Sequence, residues 1–260
     1  MSSLLFLCGL AFLAGFLDSI VGGGGLVQLP ALLIVLNGEL AAKEVVLASL
    51  WGTNKLSSIA GTSLAMVQYA RRVAIPWRTM LPAAGMAFVC SFFGSMLVAH
   101  LNPRVLRPLV LVLLVLVAIY TFMKKDFGSL HKPTLSERSQ LFFGVLICGA
   151  IGFYDGFFGP GTGSFLIFAF IGVFGFSFLS ASASAKVVNF ATNLASVIYF
   201  ASSGNILYHL ALPMALCNVA GSLLGSHLAL NRGIQFIRLF FLFVVCAIIA
   251  RFAYDLYFAK

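Results

Sequence analysis

Residues 14–25 read AGFLDSIVGGGG, and residues 150–163 read AIGFYDGFFGPGTG. The two stretches align with Asp18 opposite Asp155, an offset of 137 residues. Further along the chain the offset becomes 131 residues, and it pairs Lys55 with Lys186, Trp77 with Tyr208, Pro82 with Pro213, Gly94 with Gly225, Ser95 with Ser226 and Arg107 with Arg238. A register that pairs so many uncommon residues indicates an internal duplication.

The composition is that of a membrane protein. Of the 260 residues, 61% are hydrophobic and 9% are charged, and the mean hydropathy is +1.07. A spanning helix needs about 20 apolar residues to cross roughly 30 Å of hydrocarbon, and suitable stretches lie at 3–21, 78–100, 109–123, 139–153 and 234–250. Residues 3–21 have no basic flank or cleavage site, so we expect a retained helix. This pattern favours a secondary transporter over an enzyme.

Each half divides into the same five elements. We predict a first membrane repeat at 1–123, a cytoplasmic linker at 124–138 and a second membrane repeat at 139–260. The predicted elements are 3–21, 26–36, 43–70, 78–100 and 104–123, then 139–158, 164–176, 180–203, 208–230 and 234–258. An odd number of elements makes the second half enter the membrane from the opposite side, which gives inverted-topology repeats. The fold expected is therefore an all-α polytopic membrane protein with eight to ten membrane segments, in which 26–36 and 164–176 are short re-entrant or broken helices.

Basic residues in the loops give the orientation. The loop at 71–78 contains three arginines, whereas the corresponding loop at 203–208 contains no lysine or arginine. The positive-inside rule then places 71–78 and 124–138 in the cytoplasm and both termini outside. Arg104 and Arg107 fall outside, against the rule. The net charge of +9 follows from such loops, so no nucleic-acid partner is expected.

Four charged residues stand in otherwise apolar surroundings, and they form two repeat-related pairs: Asp18 with Asp155, and Lys55 with Lys186. Charged side chains inside a bilayer usually face a cavity or a partner. The aspartates are candidate proton-coupling residues or structural partners of the lysines. The lysines are candidate anion ligands, and the alternatives are snorkelling to an interface and internal pairing with the aspartates.

Glycine runs follow both aspartates, at Gly22, Gly23, Gly24 and Gly25 and at Gly159, Gly161 and Gly163. Irregular backbone is tolerated at membrane depth only against protein or a water-filled cavity. The short helices that follow would present free N–H groups and a positive dipole end to an anion. The alternative is that these glycines only allow close helix packing.

A polar stripe follows each lysine. Lys186, Asn189 and Asn193 share one helix face, and the aligned residues Lys55, Ser58 and Thr62 do the same; Asn54 precedes the first lysine. This pattern suits a small oxyanion. The five cysteines show no ligand spacing and no catalytic motif occurs, so we expect no metal, no cofactor and no catalytic residue.

The chain resembles the sulfite exporter TauE/SafE family, also called the toluene sulfonate uptake permease family. The matching stretches are AGFLDSIVGGGGLVQLPAL at 14–32, GTNKLSS at 52–58, GFYDGFFGPGTGSF at 152–165 and SAKVVNFATN at 184–193. The resemblance implies a multi-pass transporter in the plasma (inner) membrane of a prokaryote. It also implies small sulfur-containing anions as substrates, such as sulfite, sulfonates or sulfoacetate, often moved outward.

Together these features predict alternating access around a midplane anion site. We expect Lys55 and Lys186 to attract the anion, Asn54, Asn189 and Asn193 to bind it by hydrogen bonds, and Asp18 or Asp155 to couple transport to protons. The rivals are a channel for an anion or small solute, a transporter of another organic anion, and a membrane enzyme or assembly subunit. The sequence leaves open whether the chain forms a homodimer.

Overall fold

The structure is a computed structural model that describes residues 2–36, 47–97 and 135–257. All regular structure in these ranges is helical. The first half contains α1 (Ser2–Val21), α2 (Gly25–Val35), α3 (Leu47–Ala70) and α4 (Trp77–Leu97). The second half contains α5 (Glu137–Phe157), α6 (Thr162–Gly172), α7 (Phe178–Ser202) and α8 (Tyr208–Tyr257).

Within the described ranges, four stretches are long and apolar enough to cross a membrane: Ser3–Val21, Trp77–Leu97, Glu137–Phe157 and Tyr208–Asn231. Large apolar side chains are exposed along them, including Leu5, Leu81 and Phe142, which suits contact with lipid. The short helices α2 and α6 have 11 residues each, about 16 Å at 1.5 Å per residue, and this is too short to span. The prediction of an all-α polytopic protein is confirmed, whereas the inverted orientation of the halves stays a prediction.

One predicted boundary is wrong. Residues 208–230 and 234–258 were expected as separate elements, but Tyr208–Tyr257 forms one helix of 50 residues. Asn231 and Gly233 lie between the two predicted elements, and a glycine inside a helix costs only about 1 kcal/mol relative to alanine, so the helix continues through them. The linker predicted at 124–138 also extends two residues too far, because α5 begins at Glu137 after the N-cap Ser136. Element 104–123 and linker residues 124–134 lie outside the described residues.

Each half packs mainly against the other half. Helix α1 packs on α8 and α4 packs on α5, while α3 and α7 meet at the centre. Glycines allow the first two contacts: a Cβ on Gly94 would lie 2.2 Å from the carbonyl oxygen of Phe153, and one on Gly225 would lie 2.5 Å from that of Phe16. The duplication pairs Gly94 with Gly225 and Phe16 with Phe153, so the same contact is made twice between the halves.

Buried serines repeat this relation. The Ser91 hydroxyl on α4 donates to the carbonyl oxygen of Thr192 on α7 (3.0 Å), and the Ser222 hydroxyl on α8 donates to that of Gly61 on α3 (2.7 Å). The offset of 131 residues carries one bond onto the other. The duplication detected in the sequence is therefore also a repetition of tertiary contacts, and it places the same part of each half at the centre.

Candidate functional site

The two long helices that carry Asp18 and Asp155 end shortly after these residues. Helix α1 ends at Val21 and α5 ends at Phe157, and the chain then turns at the repeat-related Gly22 (φ 79°) and Gly159 (φ 90°). These φ values lie in the left-handed region, which only glycine adopts readily. The short helices α2 and α6 begin directly after these two breaks.

The two breaks touch each other. A Cβ on Gly22 would lie 2.3 Å from the carbonyl carbon of Gly163, so the backbones meet without side chains between them. The Ser164 hydroxyl at the start of α6 donates to the carbonyl oxygen of Val21 at the end of α1 (2.8 Å). The glycines therefore allow the two broken regions to pack together, and a hydrogen bond from one half caps the helix end of the other.

The four charged residues form two ion pairs, and both pairs join the halves. The Lys55 Nζ lies 2.6 Å from the Asp155 Oδ2 and 3.2 Å from the Asn193 Oδ1. The Lys186 Nζ lies 3.1 Å from the Asp18 Oδ2 and also donates to the backbone carbonyl oxygen of Asp18. Internal pairing with the aspartates, one of the alternatives for the lysines, is what the structure shows.

A small polar cavity of about 20 Å³ lies between the breaks. It is lined by Asp18, Gly22, Gly25, Asn54, Lys55, Ser58, Asp155, Gly159, Gly161, Thr162, Gly163, Asn189 and Asn193. A cavity of this size holds about one water molecule. The cavity is therefore too small for a polyatomic anion in this conformation, and such an anion would need the surrounding helices to move.

Most predicted site residues thus come together, although their role in binding stays a prediction. Gly23 and Gly24 are not on the cavity wall, and Lys186 is fully buried behind Asp18. The site prediction left out Ser58 and Thr162. Ser58 belongs to the polar stripe of Lys55, and Thr162 is aligned with Gly25, so the sequence carried a signal for both.

Asn54 has a distinctive environment on the cavity wall. Its side chain is 5% exposed, and its amide oxygen has no hydrogen-bond partner among the described residues. Buried polar groups are nearly always satisfied, so this oxygen marks a position for a bound water or a ligand donor. Among the residues that the structure describes, no three His, Cys, Asp or Glu side chains are grouped closely enough to hold a metal ion.

Comparisons with known proteins agree with this architecture. Residues 7–252 match the family model described as Sulfite exporter TauE/SafE. A probable membrane transporter protein, ORF9, of Sinorhizobium sp. is 35% identical over 97% of this chain and 93% of its own length. The probable membrane transporter protein YfcA of Escherichia coli K12 is 32% identical over 94% of this chain and 87% of its own length.

A probable membrane transporter protein of Haemophilus influenzae is also 32% identical, over 97% of this chain and 94% of its own length. No solved structure matches. The family match and these relatives cover nearly the whole chain, including both breaks and both ion pairs. The chain therefore belongs to the Sulfite exporter TauE/SafE family, whose members compared here are named as membrane transporters.

Proposed function

We propose that the protein is a secondary transporter of small sulfur-containing anions such as sulfite, sulfonates or sulfoacetate, and that it moves them outward by alternating access. The observation that carries this proposal is the buried Lys55, which faces a polar cavity between two broken helices. A lysine ammonium, amide groups and free helix N–H groups are all suited to an oxyanion.

The ligands of the anion follow from the cavity wall. Lys55 supplies the positive charge, and Asn54, Asn189 and Asn193 supply amide hydrogen-bond groups. The first turn of α6 supplies the backbone N–H group of Gly163, which has no partner within the helix, whereas that of Thr162 donates to the carbonyl oxygen of Gly159 (3.2 Å). In this proposal Lys186 is not a ligand of the anion. It lies behind Asp18 and contributes its positive charge without lining the cavity.

The size of the cavity supports a carrier over a pore. Room for about one water molecule is too little for an open anion pathway, so the halves must rearrange to admit a substrate. The contacts that hold the halves together are repeated in related copies, which suits a rocking motion of one half against the other. A channel for anions or small solutes is the rival, and flux that saturates and can be driven against a gradient argues against it.

Transport into liposomes tests the proposal. Purified protein is reconstituted, and uptake of labelled sulfite and of a sulfonate is measured against empty liposomes. We expect saturable uptake, competition between the two anions, and loss of uptake in Lys55→Ala. Lys186→Ala in the same assay separates the lining lysine from the buried one. Absence of saturable flux for every sulfur anion tested would remove this substrate class from the proposal, and a thermal-shift screen of organic acids would then identify another.

A further inference from the structure

The two ion pairs are related by the duplication, but they differ in their relation to the cavity. Lys55 and Asp155 both line the cavity, whereas of the second pair only Asp18 does. Lys186 divides its hydrogen bonds between the carboxylate and the backbone carbonyl oxygen of Asp18. The pair of Lys55 and Asp155 therefore occupies the place where an anion would bind, and the pair of Lys186 and Asp18 holds the end of α1.

The carboxylate of Asp155 and a substrate anion need the same ammonium group. Lys55 is 2% exposed, and its described hydrogen-bond acceptors are the Asp155 carboxylate and the Asn193 amide oxygen. With both pairs ionised, the two lysines and two aspartates carry no net charge. An added monovalent anion would leave one uncompensated negative charge in a buried site, which is strongly disfavoured.

A single proton on Asp155 resolves this conflict. It removes the competitor of the anion, leaves Lys55 free to pair with the substrate and keeps the whole cluster neutral. The protonated carboxyl also becomes a hydrogen-bond donor that can face the anion. The same proton on Asp18 would instead leave Asp155 and the anion competing for Lys55.

The surroundings of Asp155 contain few other groups that could take the proton. The hydroxyl of the neighbouring Tyr154 donates to the carbonyl oxygen of Pro160 (2.7 Å). On the helices packed against α5, the described charged or titratable groups are Lys55 and Tyr69 on α3, Arg78 and Cys90 on α4, and Lys186 and Tyr199 on α7. Helix α5 itself has Glu137 and Arg138 at its start and the buried Cys148, whereas α6 has no charged or titratable residue. Asp18 also lines the cavity.

We propose that Asp155 takes up the coupling proton and that one proton accompanies each monovalent anion. The pair of Lys186 and Asp18 has a structural role, and it stabilises the end of α1 at the first break. This inference rests on the proposed function and assigns its coupling. The proton binds an Oδ atom of Asp155 as the anion binds Lys55, and both leave on the other side. Because the loaded and empty sites are both neutral, the anion and pH gradients together set the direction of transport, and the membrane potential does not. Movement outward requires an outward anion gradient that is larger than any opposing pH gradient.

Proteoliposomes with methanesulfonate as the probe test this inference. Methanesulfonate stays a monovalent anion across the working pH range, so its own titration does not interfere. At one proton per anion we expect about a tenfold anion ratio across the membrane per unit of pH gradient, and no change when a potassium diffusion potential is imposed. Flux that follows the membrane potential, or a ratio that is independent of pH, would overturn the coupling.

Two variants locate the proton. Asp155→Asn is expected to lower the amount of folded protein, because it leaves Lys55 without its partner, and the anion exchange that survives should no longer respond to a pH gradient. Asp18→Asn is expected to lower the amount of folded protein while the surviving flux keeps its one-to-one dependence on the pH gradient. The reverse result, with coupling lost in Asp18→Asn and kept in Asp155→Asn, would assign the proton to Asp18 and refute the inference.

A measurement on the unaltered protein covers the case in which Asp155→Asn does not fold. Titration calorimetry of methanesulfonate in buffers of different ionisation enthalpy gives the number of protons taken up per anion bound. We expect one, and a value of zero would refute the inference. If the unaltered protein neither binds nor moves any sulfur anion, the proposed function fails instead, so the two failures are distinguishable.

Discussion

Breaking the ion pair between Lys55 and Asp155 should cost far more than removing both of its charges. The two side chains are 3% and 2% exposed and their charged atoms are 2.6 Å apart. Replacing one partner leaves the other charge buried without compensation, which costs about 3–5 kcal/mol. Replacing both removes the charges together, and exchanges of this kind are often neutral. We expect Lys55→Met and Asp155→Leu each to destabilise the protein by about 3–5 kcal/mol, and the double variant, which places two apolar side chains of similar volume there, to be close to the unaltered protein.

Unfolding in mixed detergent micelles, followed by tryptophan fluorescence, measures the four free energies of this cycle. Trp51 is a suitable reporter, because its indole N–H donates to the carbonyl oxygen of Phe158 beside the site (3.1 Å). Arg72→Met is the control: it removes an exposed hydrogen bond to Asn231 and should cost only about 0–1 kcal/mol. The reasoning would be refuted by a double variant whose free energy of unfolding is no higher than that of the less stable single variant. Removing the second charge would then restore no stability.

Three further substitutions and one control substitution test the packing around the site. Gly22→Ala places a side chain at a φ of 79° and 2.3 Å from the opposite break, so we expect loss of folded protein on size-exclusion chromatography. Gly94→Ala brings a Cβ within 2.2 Å of a carbonyl oxygen of α5, and overpacking of this kind costs about 1–3 kcal/mol. The control is Gly85→Ala on the same helix, whose Cβ meets no atom within 4 Å and which should leave the unfolding free energy the same or slightly higher. Equal losses of unfolding free energy in both variants would contradict the packing argument. Trp51→Phe leaves the carbonyl oxygen of the second break without its indole donor, at a cost of about 1–3 kcal/mol, and an unchanged unfolding midpoint would show that water replaces this bond.

Much of the helical arrangement could be predicted from the sequence. Uniform apolar runs define spanning helices because the bilayer offers backbone groups no other partner, and α1, α4 and α5 begin and end close to the predicted positions. The short elements after the glycine motifs could also be predicted, because a run of glycines interrupts a helix. The continuous helix α8 was not predicted, because a glycine that disfavours the helix by only about 1 kcal/mol does not by itself end it.

The candidate site was predictable as a set of residue types and not as a geometry. Charged residues in apolar segments are costly enough to stand out in any sequence, and the duplication grouped them into related pairs. Nothing in the spacing specified that Lys55 pairs with Asp155 of the other half, because that contact joins residues 100 positions apart. The sequence also treated the two lysines as equivalent, whereas only Lys55 lines the cavity.

The sequence by itself determined that the chain crosses a membrane, that it is duplicated, and which charged and glycine residues are exceptional. These properties follow from local composition and from matching positions along the chain. The tertiary structure alone decided which lysine meets which aspartate, how closely the two glycine breaks approach, and that the polar cavity is too small for a polyatomic anion. Those features depend on the distances between helices from different halves, and such distances are set by the packing of the whole bundle.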